Sequence, residues 1–176
     1  MIAILYNIRS LHNVGSIFRT ADAAGVEKIY LCGYTPSPID KYGRVEPKIS
    51  KVALGAEKYI PWEKRGGTPK ATVKLIRELQ QSGYKVLAVE QSKTSVPLDR
   101  PDYRKKEFKK IALLVGNEVG GVPPSVLRAA DLVIEIPMFG KKESLNVSVA
   151  FGIAAYQVAL KQNKRKSKRS EAGHSR

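Results

Sequence analysis

Short apolar runs punctuate the chain at Ile2–Tyr6, Lys85–Val89, Ile111–Val115 and residues 132–136, and another opens at Lys28. Gly, Pro or polar residues bound them, as expected of strands buried on both faces of a parallel sheet. Between the runs the period changes. Ile17, Ala21 and Ala24 fall at helical spacing, with Asn13 as the expected cap and Gly25 placed to end the helix in the left-handed conformation. Thr68 and Pro69 open a second helix, Val73, Ile76 and Leu79 give it an inner face, and Gly83 closes it. A short helix is expected over residues 123–130 and a long apolar one from near Ser144. A short strand is expected over residues 58–61. Residues 34–51, which include Pro36, Pro38 and Pro47, read as a long irregular loop, and residues 92–110 as a charged connector. Strand and helix alternate, which predicts an α/β fold with a mostly parallel sheet flanked by helices. One domain is expected over residues 1–162. Residues 163–176 have only Ala172 to offer a core and are expected to form a basic tail, disordered when alone.

Charge adds a partner to this picture. The 31 Lys and Arg residues outnumber 16 Asp and Glu, for a net charge of +15, which points to a polyanion rather than a small acidic substrate. From Lys161 onward the bases are Lys161, Lys164, Arg165, Lys166, Lys168, Arg169 and Arg176 against Glu171 alone, yet the remainder of the chain is basic too. Lys41, Arg44, Lys48 and Lys51 give the 34–51 loop a basic face, which fits either phosphate contact or simple solvation. Cys32 is the only cysteine, so an intrachain disulfide and a structural zinc cluster are excluded, and it reads as a small buried residue at a strand end. His12 and His174 are too few for a metal site. The opening residues lack a signal peptide's basic start and long apolar core, and no run approaches the ~20 apolar residues of a membrane span. The expectation is a soluble, cytoplasmic protein without a metal.

Familiar nucleotide and hydrolase signatures are missing. There is no GxxxxGK[ST], no GxGxxG after the first strand and no GxSxG. What remains is a set of small and polar residues at element ends: Asn13 and Arg19; the turn Gly116, Asn117, Glu118 with Gly120 and Gly121; Ile136, Pro137 and Met138; and Ser144, Leu145 and Asn146. Parallel sheets bind ligands beyond the carboxyl ends of their strands. Glycines there let backbone amides approach a ligand, and Val89, Ile136, Met138 and Leu145 offer an apolar wall that suits adenine. Each feature alone also fits a plain turn, a helix cap or a surface charge. Their joint occurrence in order favours a site.

In that order the residues spell N-x-G-x-x-x-R-T-A-D-A-x-G-V at 13–26, V-G-N-E-x-G-G-V at 115–122, and I-P-M at 136–138 followed by S-L-N-V-S-V-A at 144–150. With these motifs the chain, up to about residue 160, resembles the SpoU (TrmH) RNA methyltransferases. The resemblance implies a C-terminal trefoil knot, bound S-adenosylmethionine, a homodimer across the knot, and methyl transfer to a ribose 2′-hydroxyl of structured tRNA or rRNA. A knot would not be proposed from the residues, since threaded chains are rare. By matching positions, Val89, Glu90, Gly116, Ile136, Pro137, Met138, Ser144 and Leu145 would line the cofactor pocket. Asn13, Arg19, Glu118, Ser144 and Asn146 would form the catalytic set. The family proposal makes Arg19 the base that activates the hydroxyl. Guanidinium rarely yields its proton, so an equally economical role is a clamp on the adjacent phosphate. A knotted methyltransferase acting on a base nitrogen, and a non-catalytic RNA-binding protein that keeps the fold, are the alternatives. Larger family members carry a separate N-terminal RNA-binding domain, whereas here the first strand starts at Ile2. RNA is therefore expected to meet the basic loop and tail.

Overall fold

The computed structural model describes residues 1–172, with side chains described to residue 162. Its centre is a sheet of seven strands, β1 (Ile2–Tyr6), β2 (Lys28–Cys32), β3 (Trp62–Arg65), β4 (Lys85–Val89), β5 (Val96–Pro97), β6 (Ile111–Val115) and β7 (Leu132–Glu135). Their spatial order is β3-β2-β1-β6-β4-β7-β5, and every pairing is parallel. The helices are α1 (Leu11–Ala23), α2 (Pro47–Ala53), α3 (Ala56–Tyr59), α4 (Pro69–Gln81), α5 (Pro124–Leu127) and α6 (Val147–Ala172).

Successive strand residues point to opposite faces, so each central strand feeds two cores. Ala3, Leu5, Leu87, Leu113 and Val115 join Val14, Ile17 and Phe18 of α1 and Phe151, Ala154 and Val158 of α6. Ile2, Ile4, Val86, Ala88, Ala112 and Leu114 join Leu75, Ile76 and Leu79 of α4 and Val126 of α5. Both faces of β1 and β6 are buried along their whole length. That is why these strands read as unbroken apolar runs. Cys32 sits in the second core, where burial pushes its thiol up to about 11 and keeps it protonated.

Four expectations are corrected. Ser10, not Asn13, caps α1, with its hydroxyl accepting from Asn13 N at 3.2 Å, and Asn13 lies inside the first turn. The stretch 34–51 is not irregular throughout. Ile39 and Val45 bridge across a turn tied by Asp40, and α2 then begins at Pro47, whose missing N–H is harmless at the first helical position. The strand expected at 58–61 lies at 62–65, because α3 occupies 56–59. This edge strand, WEKR, is polar and is held by Lys28–Glu63 at 2.7 Å and Arg65–Glu63 at 2.6 Å, so no apolar run announces it. Finally, α6 begins at Val147 rather than near Ser144, and Asn146 caps it by accepting from Ser148 N at 2.9 Å. The tail expected to be disordered is described only as backbone over residues 163–172, which continues α6; its side chains and residues 173–176 lie outside the described residues.

The glycine of the first motif has a packing role. A Cβ on Gly15 would stand 2.7 Å from Ile49 O and 2.9 Å from Val52 Cβ, so α1 and α2 touch backbone to backbone there. Gly25 has φ +69° but open space around it. Gly15→Ala is expected to cost about 1–3 kcal/mol through overpacking against α2. Gly25→Ala is expected to cost about 1–2 kcal/mol through its left-handed backbone alone. Denaturant titration of both variants checks this, and only the first should shift the environment of Val52.

Candidate active site

The carboxyl ends of β4, β6 and β7 lie side by side, since Val89 pairs with both Val115 and Ile134. The loops that leave these ends enclose an open cleft of about 200 Å³. Its apolar wall is Val89, Ile136, Met138 and Leu145, and Gly116, Ser144 and Glu90 complete the expected cofactor set with one exception. Pro137 is exposed between Ile136 and Met138 and does not line the cleft.

Close packing shapes the 116–121 loop. A Cβ on Gly116 would stand 2.6 Å from the Gly121 carbonyl carbon, and one on Gly121, at φ +60°, would stand 2.3 Å from Glu90 Oε2. Asn117 and Gly121 exchange backbone hydrogen bonds of 3.1 and 3.0 Å. Asn117 also accepts from Val119 N and Gly120 N, and donates to Asn7 O at 2.8 Å and to the Tyr34 hydroxyl at 2.7 Å. This residue lies in the second motif but carried no expected role. Its signal is the type itself: an Asn in a glycine-rich turn can satisfy the amides of that turn. The Glu90 carboxylate accepts from Val122 N and Gln91 N, so it braces the same loop while facing the cleft.

At the rim, three motifs that are far apart in sequence are joined by hydrogen bonds. Asn146 Nδ2 donates to Asn13 Oδ1 at 3.1 Å, and Asn13 Nδ2 donates to Glu118 Oε1 at 2.9 Å. Glu118 also accepts from Arg9 N at 3.1 Å and Ser10 N at 3.2 Å, the free amides at the start of α1. Partial desolvation pushes the Glu118 carboxyl up, but the hydrogen bonds from Arg9 N, Asn13, its own backbone amide and Ser10 N together outweigh it and hold the carboxyl below its ordinary value. Ser144 stands exposed three residues before α6 and lines the cleft, so it is not the helix cap. Arg19 is not brought to the cleft of its own chain. It is exposed on α1, beside Thr20, whose Cγ2 lies 3.4 Å from where a Cβ on Gly152 of α6 would stand.

The cleft's charge runs against that of the chain. Glu90, Glu118, Glu135 and Glu143 line it, and among the described residues no Lys or Arg does, in a protein of net charge +15. Such a cleft favours a cationic ligand and disfavours phosphate. Among the described residues no group of three His, Cys, Asp or Glu side chains is arranged to hold a metal ion, and no helix is long and apolar enough to cross a membrane.

Residues 1–156 match the profile of the SpoU rRNA Methylase family. The chain belongs to this family. It is 35% identical to a tRNA (guanosine(18)-2′-O)-methyltransferase of Aquifex aeolicus over 161 residues, 89% of this chain and 67% of that protein. It is 30% identical to a 23S rRNA (guanosine-2′-O-)-methyltransferase of Ralstonia nicotianae over 163 residues, 93% of this chain and 59% of that protein. The chain thus spans less than two thirds of the length of many of its relatives, 55% in a Neisseria meningitidis counterpart. Among solved structures, the A. aeolicus TrmH/SpoU tRNA modifying enzyme superposes with a TM-score of 0.77 at 34% identity, covering 96% of this chain and 78% of that one. An AdoMet-bound rRNA methyltransferase from Sinorhizobium meliloti gives 0.77 at 31% identity, covering 89% and 54%.

The Glu118 bonds set a pH dependence. Because its folded pKa is lowered, its contribution to stability is complete at neutral pH and is lost as pH falls from the ordinary carboxylate range through the lowered folded value. Glu118→Gln is expected to flatten that part of the stability-versus-pH curve, read by thermal melts across acid pH. Asn13→Ala should raise the Glu118 pKa, read by carboxyl NMR titration.

Proposed function

We propose that this chain transfers the methyl group of S-adenosylmethionine to a ribose 2′-hydroxyl of structured tRNA or rRNA, acting as a homodimer in the cytoplasm. The observation that carries the reading is the Asn146–Asn13–Glu118 hydrogen-bonded chain, which joins all three motifs at the rim of an acidic cleft. The family and the names of the relatives support the activity. The cleft's residues fit a cationic methyl donor: carboxylates complement its charge and the apolar wall accepts its adenine. When bound, that donor supplies an already electrophilic methyl, so no metal is required.

Val89, Ile136, Met138 and Leu145 hold the donor in this reading, with Gly116 and Ser144 presenting polar contacts and Glu90 an acceptor. Asn13, Glu118 and Asn146 fix the start of α1 and α6 about the reacting ribose. Arg19 holds the adjacent RNA phosphate and lowers the hydroxyl's pKa electrostatically. In a single chain Arg19 lies away from the cleft. Dimerisation resolves this. Val149, Ile153, Tyr156 and Leu160 recur at helical spacing on α6 and are 41–58% exposed, an apolar stripe next to α1 that suits a second copy. Across it, Arg19 serves the cleft of the partner. We also infer the family's knot. The chain joining β4 to β5, residues 90–95, crosses the end of β7, which lies between them, and the chain leaving β7 must pass this span to reach α6.

The test is methylation of tRNA and rRNA with labelled donor, followed by nucleoside analysis. The expected product is a 2′-O-methylnucleoside; a base-methylated product identifies the nitrogen-directed alternative, and donor binding without product the non-catalytic one. Arg19→Ala should lower turnover by about 10²-fold or more while calorimetry finds donor affinity nearly unchanged. Mixing Arg19→Ala with Ser144→Ala subunits should restore part of the activity if Arg19 acts across the dimer. Removing residues 163–176 should weaken RNA binding and make its salt dependence shallower, by about one unit of slope for each phosphate that the tail neutralises.

A further inference from the structure

An aromatic side chain stands beside the cleft, outside the set expected to act there. Tyr34 follows β2 by two residues. Cys32 pairs with Tyr6, and Leu5 with Val115, so β2, β1 and β6 end at the same face of the sheet. Two strand spacings, about 10 Å, separate β2 from β6. The Tyr34 side chain closes that gap. Its hydroxyl accepts from Asn117 Nδ2 at 2.7 Å, and Asn117 lines the cleft next to Glu118.

Exposed aromatic residues are ordinary on protein surfaces. Tyr34 is 55% exposed, and what sets it apart is how firmly it is held. Asn7 adopts φ +55°, a backbone that asparagine tolerates better than most residues, and its Oδ1 accepts from Tyr34 N at 3.1 Å. That oxygen lies so close to Gly33 that a Cβ there would stand 1.7 Å from it. On the other side Thr35 is fully buried, donating to Cys32 O at 2.8 Å and accepting from Ile8 N at 3.1 Å. The outer end is fixed by Asn117, whose Oδ1 is taken up by Val119 N and Gly120 N, so its Nδ2 faces the phenol. The backbone and the tip of an exposed side chain are thus both anchored. A ring ordered in advance binds a partner with little further loss of side-chain freedom.

Charge selects among the flat partners that such a ring could take. Arg9 is exposed and, among the described residues, in no ion pair, and its amide donates to Glu118 Oε2 at 3.1 Å. An aromatic and a cationic residue are therefore tied to successive residues of one loop, Asn117 and Glu118, in a protein of net charge +15. A nucleobase on a phosphate backbone answers both. We propose that Tyr34 is an RNA-binding residue of the methyl-transfer site, stacking on a base that neighbours the nucleotide being methylated. The assignment rests on RNA being the substrate. Stacking is tolerant of base identity, so this contact sets the position of the strand against the rim of Asn13, Glu118 and Asn146 and leaves sequence choice to other contacts.

The full chain, with S-adenosylmethionine, would be irradiated with tRNA and rRNA transcripts carrying 5-iodouridine, which crosslinks to aromatic rings it stacks on, and the linked peptide mapped by mass spectrometry. The expected crosslink is at Tyr34; crosslinks confined to Tyr42 or Tyr59, which are also exposed, overturn the proposal. Tyr34→Ala should weaken binding of the same transcripts about fivefold or more, and Tyr34→Phe, which keeps the ring, should stay within about threefold of the parent. Donor affinity by calorimetry should be nearly unchanged in both, because Asn117 keeps its bonds to Asn7 O, Val119 N and Gly120 N. A loss in Tyr34→Phe equal to that in Tyr34→Ala, or a loss of donor affinity, would make Tyr34 a brace for the cleft loop and overturn the proposal. Dissociation of the dimer in Tyr34→Ala would do the same by making the ring a subunit contact. Normal methylation with RNA affinity unchanged in Tyr34→Ala removes this contact and leaves the proposed function intact; a Tyr34 crosslink without any methylation does the reverse.

Discussion

One carboxylate organises the rim of the cleft. Glu118 stands in a loop at the end of β6, and its two oxygens accept from Arg9 N, Ser10 N and Asn13 Nδ2, which belong to the opening of α1. Free amides at a helix start attract an anion, and here the chain provides its own. Once Asn13 is oriented by this contact, its other polar atom is free to accept from Asn146, which at the same time caps α6. Three segments are thereby fixed relative to one another by groups that would otherwise need water.

The charge layout divides the molecule by ligand. A net charge of +15 draws a polyanion to the surface, while the four glutamates in the cleft keep its phosphates out of the place where a cationic donor fits.

How much of this the sequence discloses depends on burial. β1 and β6 are buried on both faces and are plain as apolar runs, and the strand-end position of the cleft follows from them. β3 escapes because an edge strand is stabilised by charge pairs such as Lys28–Glu63, which leave no apolar pattern. α2 escapes because Pro47 reads as a breaker, although it occupies the one helical position that tolerates it. Asn13 looks like a cap, yet Ser10 takes that duty, and only the fold reveals that its side chain is thereby released for Glu118. The network roles of Asn117 and Glu90 depend on partners more than thirty residues away, which spacing along a chain cannot disclose.

The cleft's walls come from three separated pieces of chain, residues 89–91, 115–121 and 135–150, and each piece is held by the others through β4, β6 and β7. No shorter N-terminal fragment contains them all. During synthesis most of the sheet is therefore available well before the cleft exists, and its final wall arrives with the first turn of α6. The ability to hold a donor is a late acquisition of this chain, and it reports that the last elements have found their places.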